Sequence, residues 1–563
     1  MSAVINNFSF GNTNIGSTTS ATVGVVTKGS ARFLHNYGTN NTFMGLNSGN
    51  FTLTSQNCVC IGDNTGTALT SGNNNTIIGN GAGVLLADGF SNILIGVNAG
   101  ASFTSAGSNL VIGNFALDAD GGTSGNNVVI GHGASGNSYS VQSIILGPGT
   151  AVNVNTESCV AIGYLAMGQT FVLVETVNSC VAIGEQSLHR IRAGGNANTA
   201  VGAFTGPNIT SGTQNSLFGV NAGAGLTTGS NHVAIGADAM LDTSTTTNPN
   251  TCVGYRAGRS LTSGTGGNTF LGPSAAEGAI GSSTINTTIA IGFQCIFNGR
   301  TGSGCTYIGN GVANTNANIG TNNIGIGNSA LSAINGALGA TNCLCIGVSA
   351  GDNITSGAGN LFLGNNSGGA VATGANNICI GLNSGSALAA ADTNYIIIGN
   401  NVAGVSGIAT TATFIANIHG ITTFAAAIPV LVDANGQLGT VSSTERKKEN
   451  IVPLNTTIDV LDVINKLNPV QYNLKKDKKK TPTIGFTAER THEVYNMLTY
   501  YNRSKRTGEL RPSALNSHLI PFLNTAGIQE LYKKMDNEFE RLREENTKLE
   551  NRIFELETTI SSF

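Results

Sequence analysis

Ten cysteines, seven histidines and thirty acidic side chains are the residues of this 563-residue chain from which chemistry could be built. A zinc site needs closely spaced cysteine or histidine pairs, usually two of them. Cys58-x-Cys60 and Cys343-x-Cys345 are the tightest pairs, neither has a second pair at zinc spacing, and the histidines are scattered. No metal and no cofactor is therefore expected. Together with Cys159, Cys180, Cys252, Cys295, Cys305 and Cys379, they lie in or beside short aliphatic runs, substituting for Val, Ile or Thr. They read as small buried apolar residues; stacked in neighbouring repeats, they would form a thiol ladder. Glycan hydrolysis needs two carboxylates converging at about 5 to 10 Å. The thirteen acids up to Gly439 offer Asp118 and Asp120 as the closest pair. The stretch Asp118-Ala-Asp120-Gly-Gly reads as a solvated loop, and no substrate enzyme is expected there. Ser442-Ser-Thr-Glu-Arg-Lys-Lys448 reads, from spacing alone, as a polar linker entering a helix with Ser443 or Thr444 as N-cap.

The elements that would position these groups come from a repeat. Between Asn41 and Ala403 one phrase recurs twenty-one times: a polar residue, three mostly aliphatic or small residues, then Gly. Those glycines stand at 45, 62, 79, 96, 113, 131, 147, 163, 184, 202, 219, 236, 254, 272, 292, 309, 327, 347, 364, 381 and 399, at intervals of 16 to 21 residues. Asn75-Thr-Ile-Ile-Gly79 and Asn377-Ile-Cys-Ile-Gly381 are typical, and their β-branched residues suit a short strand. A unit this small cannot bury its own apolar face and must stack on its neighbours, which predicts a parallel β-solenoid. The Gly supplies one corner, and a following Ala-Gly or Ser-Gly supplies a second. Twenty intervals at the strand spacing of about 4.8 Å give a shaft roughly 100 Å long.

Charge divides the chain near residue 440. Up to Gly439 there are 7 Lys and Arg against 13 Asp and Glu; from 27 and 30 in all, this leaves 20 and 17 for the last 124 residues. The net charge of −3 gives no reason to expect nucleic acid as a partner. No stretch approaches a transmembrane helix, so no membrane insertion is expected, and the start lacks a basic segment followed by an apolar one. Maturation in a cytoplasm follows as the expectation.

From Ile528 the apolar residues fall into two interleaved sevens: Ile528, Met535, Leu542, Leu549 and Leu556 at d, with Tyr532, Phe539, Asn546, Ile553 and Ile560 at a. This is a coiled-coil seam, with Asn546 as the polar a residue that fixes register. Ahead of it come Thr440-Val-Ser-Ser-Thr-Glu-Arg-Lys-Lys-Glu-Asn-Ile451, Leu467-Asn-Pro-Val-Gln-Tyr472, Ile484-Gly-Phe-Thr-Ala-Glu489 and Gly527-Ile-Gln-Glu-Leu531. In this order the four blocks resemble the endosialidase-type intramolecular chaperone, a self-cleaving C-terminal module of phage tail fibres, tailspikes and some large-virus fibres. The resemblance implies a Ser that opens the module and a Lys five residues later that activates it, which maps onto Ser443 and Lys448, with cleavage between Ser443 and Thr444. A Lys acts as base only where desolvation or nearby positive charge lowers its pKa, and Arg446 and Lys447 supply such charge. Five residues of helix turn through about 140°, so the pair needs a turn or a neighbouring chain to meet. Thr444 stands where the family usually has Asp, and Glu489-Arg490 where Gln-Glu is common.

The fold class expected is mainly β: a solenoid shaft in a homotrimer, with an α+β chaperone domain ending in a coiled coil. The organisation read from the chain is an N-terminal cap or virion-attachment segment at 1–40, the shaft at 41–405, a β-hairpin neck at 406–442, the chaperone at 443–527 and the coil at 528–563. The function implied is a structural fibre or spike of a virion, assembled in the host cytoplasm and mediating attachment. Its partners would be itself, a host surface receptor such as a glycan, and a virion attachment protein. Enzymatic activity would be at most one self-cleavage per chain. Cys159-Val-Ala-Ile-Gly163 and Cys180-Val-Ala-Ile-Gly184 also resemble the β-roll heads of trimeric autotransporter adhesins, which makes a cellular surface adhesin the alternative. A glycan-degrading tailspike is a further one.

Overall fold

The computed structural model describes residues 16–562 except 120–121, 123, 169–174, 244–248, 262–265, 279–283, 299–300, 315–317, 335–339, 406–411, 419–429, 433–437, 440–447, 476–477 and 504–508. The chain divides after residue 422 into two compact units.

The first unit is a parallel β-solenoid. It opens with an antiparallel hairpin, Val26–Lys28 with Ala31–His35, whose second strand pairs antiparallel with Thr42–Met44. From Thr42–Met44 onward, short strands pair parallel and in register, each with the strand one coil later: Phe43 with Cys60, Cys60 with Ile77, Ile77 with Leu94. The stack runs to Thr413–Ile415, which pairs with Ile396–Ile398. That strand lacks the terminal Gly, being followed by Ala416, so it extends the shaft into the segment expected to begin the neck. Of that neck, the described antiparallel pairing is Leu431–Val432 with Leu438–Gly439.

Each coil fills its core from three places. The middle residue of the strand points inward and is wholly buried, as are Ile77, Leu94 and Val111 in successive coils. A small residue three past the Gly (Ala82, Ala99, Ala116) and, in many coils, a larger one seven past it (Leu69, Leu86, Phe103) complete it. The aliphatic triplets therefore do not enter the core whole: in an extended strand alternate side chains point to opposite faces, so the first and third turn outward. Where one coil carries a large residue its neighbour shrinks. Tyr307 is followed in register by Gly325, where an added Cβ would lie 3.0 Å from the Tyr307 ring.

The repeated Gly is required by two features at once. All twenty-one have φ between +125° and +146°, and a Cβ on the first twenty would come within 2.2 to 2.8 Å of the backbone of the next Gly in the stack. Any side chain would clash with the coil beside it. In some coils a further edge becomes strand, giving two three-stranded parallel sheets: Ser140–Val141, Val154–Glu157 and Glu175–Asn178, then Thr284–Asn286, Thr301–Ser303 and Gly320–Thr321.

The second unit is α+β. Helix α1 (Val460–Lys466) is capped by Asp459, which accepts from the Asp462 amide, and carries Val460 and Val463 into a small core with Leu498 and Leu523. Helix α2 (Ala488–Val494) lies beside the hairpin Thr499–Arg503 with Leu510–Leu515. Helix α3 runs unbroken from Ile520 to Ile560, eight residues earlier than the expected coil start, because Pro521 sits in its first turn where no amide donor is needed. At 1.5 Å per residue it is about 62 Å long. Gly527 lets α1 close on it, since a Cβ there would meet Ile464 Cδ1 at 2.4 Å.

Candidate functional site

The sequence placed the chemistry at Ser443, Thr444 and Lys448. Ser443 and Thr444, with Arg446 and Lys447, lie outside the described residues. Lys448 is exposed and followed by Glu449 and by Asn450 in a left-handed turn at φ +54°. Residues 448–453 are not helical, and the first regular helix, α1, is capped by Asp459. The helix that the polar linker was expected to enter is therefore not found at 448–453.

Around this point the structure joins blocks that the sequence shows only in order. Val470–Tyr472, from the second block, pairs antiparallel with Thr483–Gly485, from the third: Val470 opposite Gly485, Gln471 opposite Ile484, Tyr472 opposite Thr483. Gly527, from the fourth, is the contact point of α3 with α1. The second and third blocks are thus joined as one hairpin and the fourth packs on α1.

The seam of α3 is bare along its length. Ile528, Met535, Leu542, Leu549 and Leu556, with Tyr532, Phe539, Ile553 and Ile560, are all exposed in the single chain. The charged residues beside them pair within the helix: Arg541 with Glu538 and Glu545, and Arg543 with Glu540 at 2.6 Å. Exposed pairs of this kind contribute little. An apolar helix stripe without a covering layer calls for other helices.

In the shaft, every cysteine is buried. Five of them, Cys58, Cys159, Cys180, Cys305 and Cys343, stand four residues before the coil Gly, where neighbouring coils have a buried Asn, and not in place of Val, Ile or Thr as the sequence suggested. Burial raises most of the shaft thiols: Cys295 and Cys379 are pushed up to about 12, and Cys180 is raised first by its hydrogen bond to Cys159 and then by burial, whereas the same hydrogen bond lowers Cys159. The Cys180 amide donates to Cys159 Sγ at 3.4 Å, so the thiol takes over the acceptor role of the Asn side chain.

Asp118 is described and Asp120 is not. The acids that do converge were missed from sequence. Asp238, Asp242 and Glu277 surround Arg256 and Arg259, with Arg259 to Asp242 at 3.0 Å and Arg256 to Glu277 at 3.4 Å. The available signal was the coil period, since Asp242 precedes Arg259 by 17 residues and Arg259 precedes Glu277 by 18. Each carboxylate is tied to a guanidinium, which suits bracing between coils better than general acid catalysis. Among the described residues, no three His, Cys, Asp or Glu side chains gather to hold a metal ion, and no helix is long and apolar enough to cross a membrane.

Residues 443–499 match the family model described as chaperone of endosialidase. No curated protein and no solved structure matches the chain. The protein thus carries an endosialidase-chaperone segment behind a β-solenoid of some twenty coils, a combination that suits a fibre- or tailspike-like protein.

Proposed function

We propose that this chain forms the shaft of a virion fibre or spike, assembled in the host cytoplasm as a homotrimer by its residues 443–563 and used for attachment to a host surface receptor such as a glycan. The observation that carries the reading is the order of parts: the chaperone match at 443–499 is followed in the same chain by a 41-residue helix whose heptad seam is exposed. The physical need lies in the shaft. Coils of near-identical sequence can stack one period out of step at little cost, because register is weakly specified in Gly-rich strands. A C-terminal clamp that first aligns the chains shortens that search. In this reading Ser443 provides the attacking hydroxyl and Lys448 the base, once assembly has brought the two together. Cleavage between Ser443 and Thr444 then releases 444–563 and leaves a kinetically trapped shaft that has lost its nucleus for refolding. Residues 1–40 would cap the shaft or bind a virion attachment protein.

The test compares the intact chain with Ser443→Ala by denaturing gel, intact mass and light scattering. A shaft fragment ending at Ser443 from the parent, and only the full 57.2 kDa chain from the variant, is expected, with three chains in each native particle. Full-length bands from both would leave a clamp that does not cut. A stable monomer would overturn the clamp itself.

A further inference from the structure

The outward face of the solenoid strands is uncharged and largely apolar over the whole shaft. In each of the twenty-one coils the residue before the Gly is Ile, Leu, Val, Met or Phe, and the residue two positions earlier is Thr, Ser, Val, Ile or Leu. No Asp, Glu, Lys or Arg occurs in either column. These side chains face away from the core and range from half-buried to exposed in the single chain, reaching 42 % for Ile93 and Ile144, 43 % for Leu363 and 44 % for Leu271. Because the strands stack in register, the two columns form a stripe roughly 100 Å long and two side chains wide, on the order of 1,000 Å². The largest apolar patch on an ordinary monomer is about 300 to 600 Å², whereas a stable interface takes about 800 Å² from each partner.

The borders of the stripe are those of an interface. On one side runs an uncharged, mostly polar column, Asn in nine of the coils and Ser, Gln, Thr or Gly in most others, with asparagines bonded along the stack where they adjoin, such as Asn57 Nδ2 to Asn74 Oδ1 at 3.1 Å. On the other side the position after the Gly is mixed, with Val97, Tyr164 and Val220 beside Asp63 and Glu185. An uncharged apolar centre with a polar margin on one side and a mixed one on the other resembles the anatomy of a protein contact surface. The backbone groups of these strands are already paired along the stack, as in Gly79 N to Ile61 O at 2.8 Å, so contact must be made by side chains.

We propose that this stripe is covered by the same stripe of other copies of the chain, so that the shafts pack side by side, parallel and in coil-for-coil register. The proposal rests on the clamp reading above for bringing like ends together, and adds that the shafts themselves are in contact. A partner must present uncharged apolar groups at the pitch of one coil over some twenty coils. The chain itself has that pitch. Its periods also vary irregularly between 16 and 21 residues, so protruding turns of two copies align all along the shaft only when equal coils lie opposite one another.

A photo-cross-linking experiment on the full-length chain tests this. Leu271 is replaced by p-benzoylphenylalanine, a ring the column tolerates since Phe218 occupies the same position, and the control carries the same replacement at the exposed corner residue Ser71. After illumination, Leu271→p-benzoylphenylalanine is expected to give covalent multimers of the chain on a denaturing gel, with cross-linked peptides drawn from the coils next to residue 271. The Ser71 control should give none. Multimers by light scattering with no link between copies at residue 271, or a link there to a different protein, would overturn the packing while leaving the clamp standing. Monomers by light scattering would overturn both.

Discussion

Asn92 shows how a single side chain joins three coils. Its amide nitrogen donates to Asn75 Oδ1 at 3.0 Å and to the Ala106 carbonyl at 2.8 Å, while its oxygen accepts from the Asn109 backbone at 3.1 Å and from the Asn109 amide at 3.0 Å. With no exposure to water, these groups have no other partner. Asn92→Ala should therefore lower stability by about 2 to 4 kcal/mol, since it strands several buried donors and acceptors at once. Asn92→Cys should lose distinctly less, because five other coils carry Cys here and its sulfur can accept the next amide. Denaturant unfolding of both variants followed by circular dichroism checks the order. His35 makes a second residue-scale case. It is buried against Phe43 and bonded through Nε2 to the Ser48 carbonyl at 2.8 Å, and desolvation lowers its pKa below the ordinary 6.5, with Arg32 pushing the same way. A depressed histidine is neutral in the folded hairpin, so its contribution is complete above about 6.5 and is lost as pH falls toward the folded value. Protection of the Ala31–His35 amides, taken as the exchange rate relative to the intrinsic rate at each pH, should fall on acidification from pH 7.5 to 5.5, and His35→Gln should remove most of that dependence.

At the scale of the element, the coil is built on left-handed residues as much as on strands. Besides the strand-ending Gly, most coils hold a positive φ at the residue two past it, such as Asn47, Asn64 and Asn98, and at the residue five before it, such as Asn57 and Asn74. Asn and Gly reach this conformation at least cost, which is why they fill the polar stretches between strands. The strand-ending Gly is the least replaceable of these. Gly96→Ala places a Cβ 2.4 Å from the Gly113 carbonyl at φ +139°. It should cost on the order of 3 kcal/mol or more. The loss would be local, with coils beyond Gly96 and Gly113 still protected in hydrogen exchange, because each coil contacts only its neighbours. Uniform loss of protection along the shaft would show that the solenoid unfolds as one unit.

At the scale of the whole molecule, two exposed apolar surfaces, the seam of α3 and the outward stripe of the solenoid, would have different parts in the proposed assembly. A helix seam is recognised by its heptads, and it specifies alignment through Asn546. The solenoid stripe has one repeated chemistry and specifies register only weakly, through the unequal lengths of its turns; in the proposed assembly it would hold what the clamp has aligned. Removing residues 444–563 from the gene should therefore leave chains that make coils but pair them out of step. The expected outcome is a several-fold fall in the yield of soluble, uniform rods seen by electron microscopy. Uniform rods at the parental yield would mean that the shaft aligns itself.

By itself the sequence determined the period, the Gly at each corner and the heptad seam, because these depend on interactions between residues close in the chain or exactly one coil apart. It also placed the chaperone resemblance on blocks that the fold joins, Val470–Tyr472 against Thr483–Gly485. The tertiary structure decided which side of each triplet faces the core, since alternation in a three-residue strand permits either phase until the coil closes on itself. The same closure put five cysteines into the asparagine ladder, gathered Asp238, Asp242 and Glu277 around two arginines from three coils, and carried the shaft on to Thr413–Ile415. Each of these depends on what the neighbouring coil presents, and spacing along one strand does not contain that.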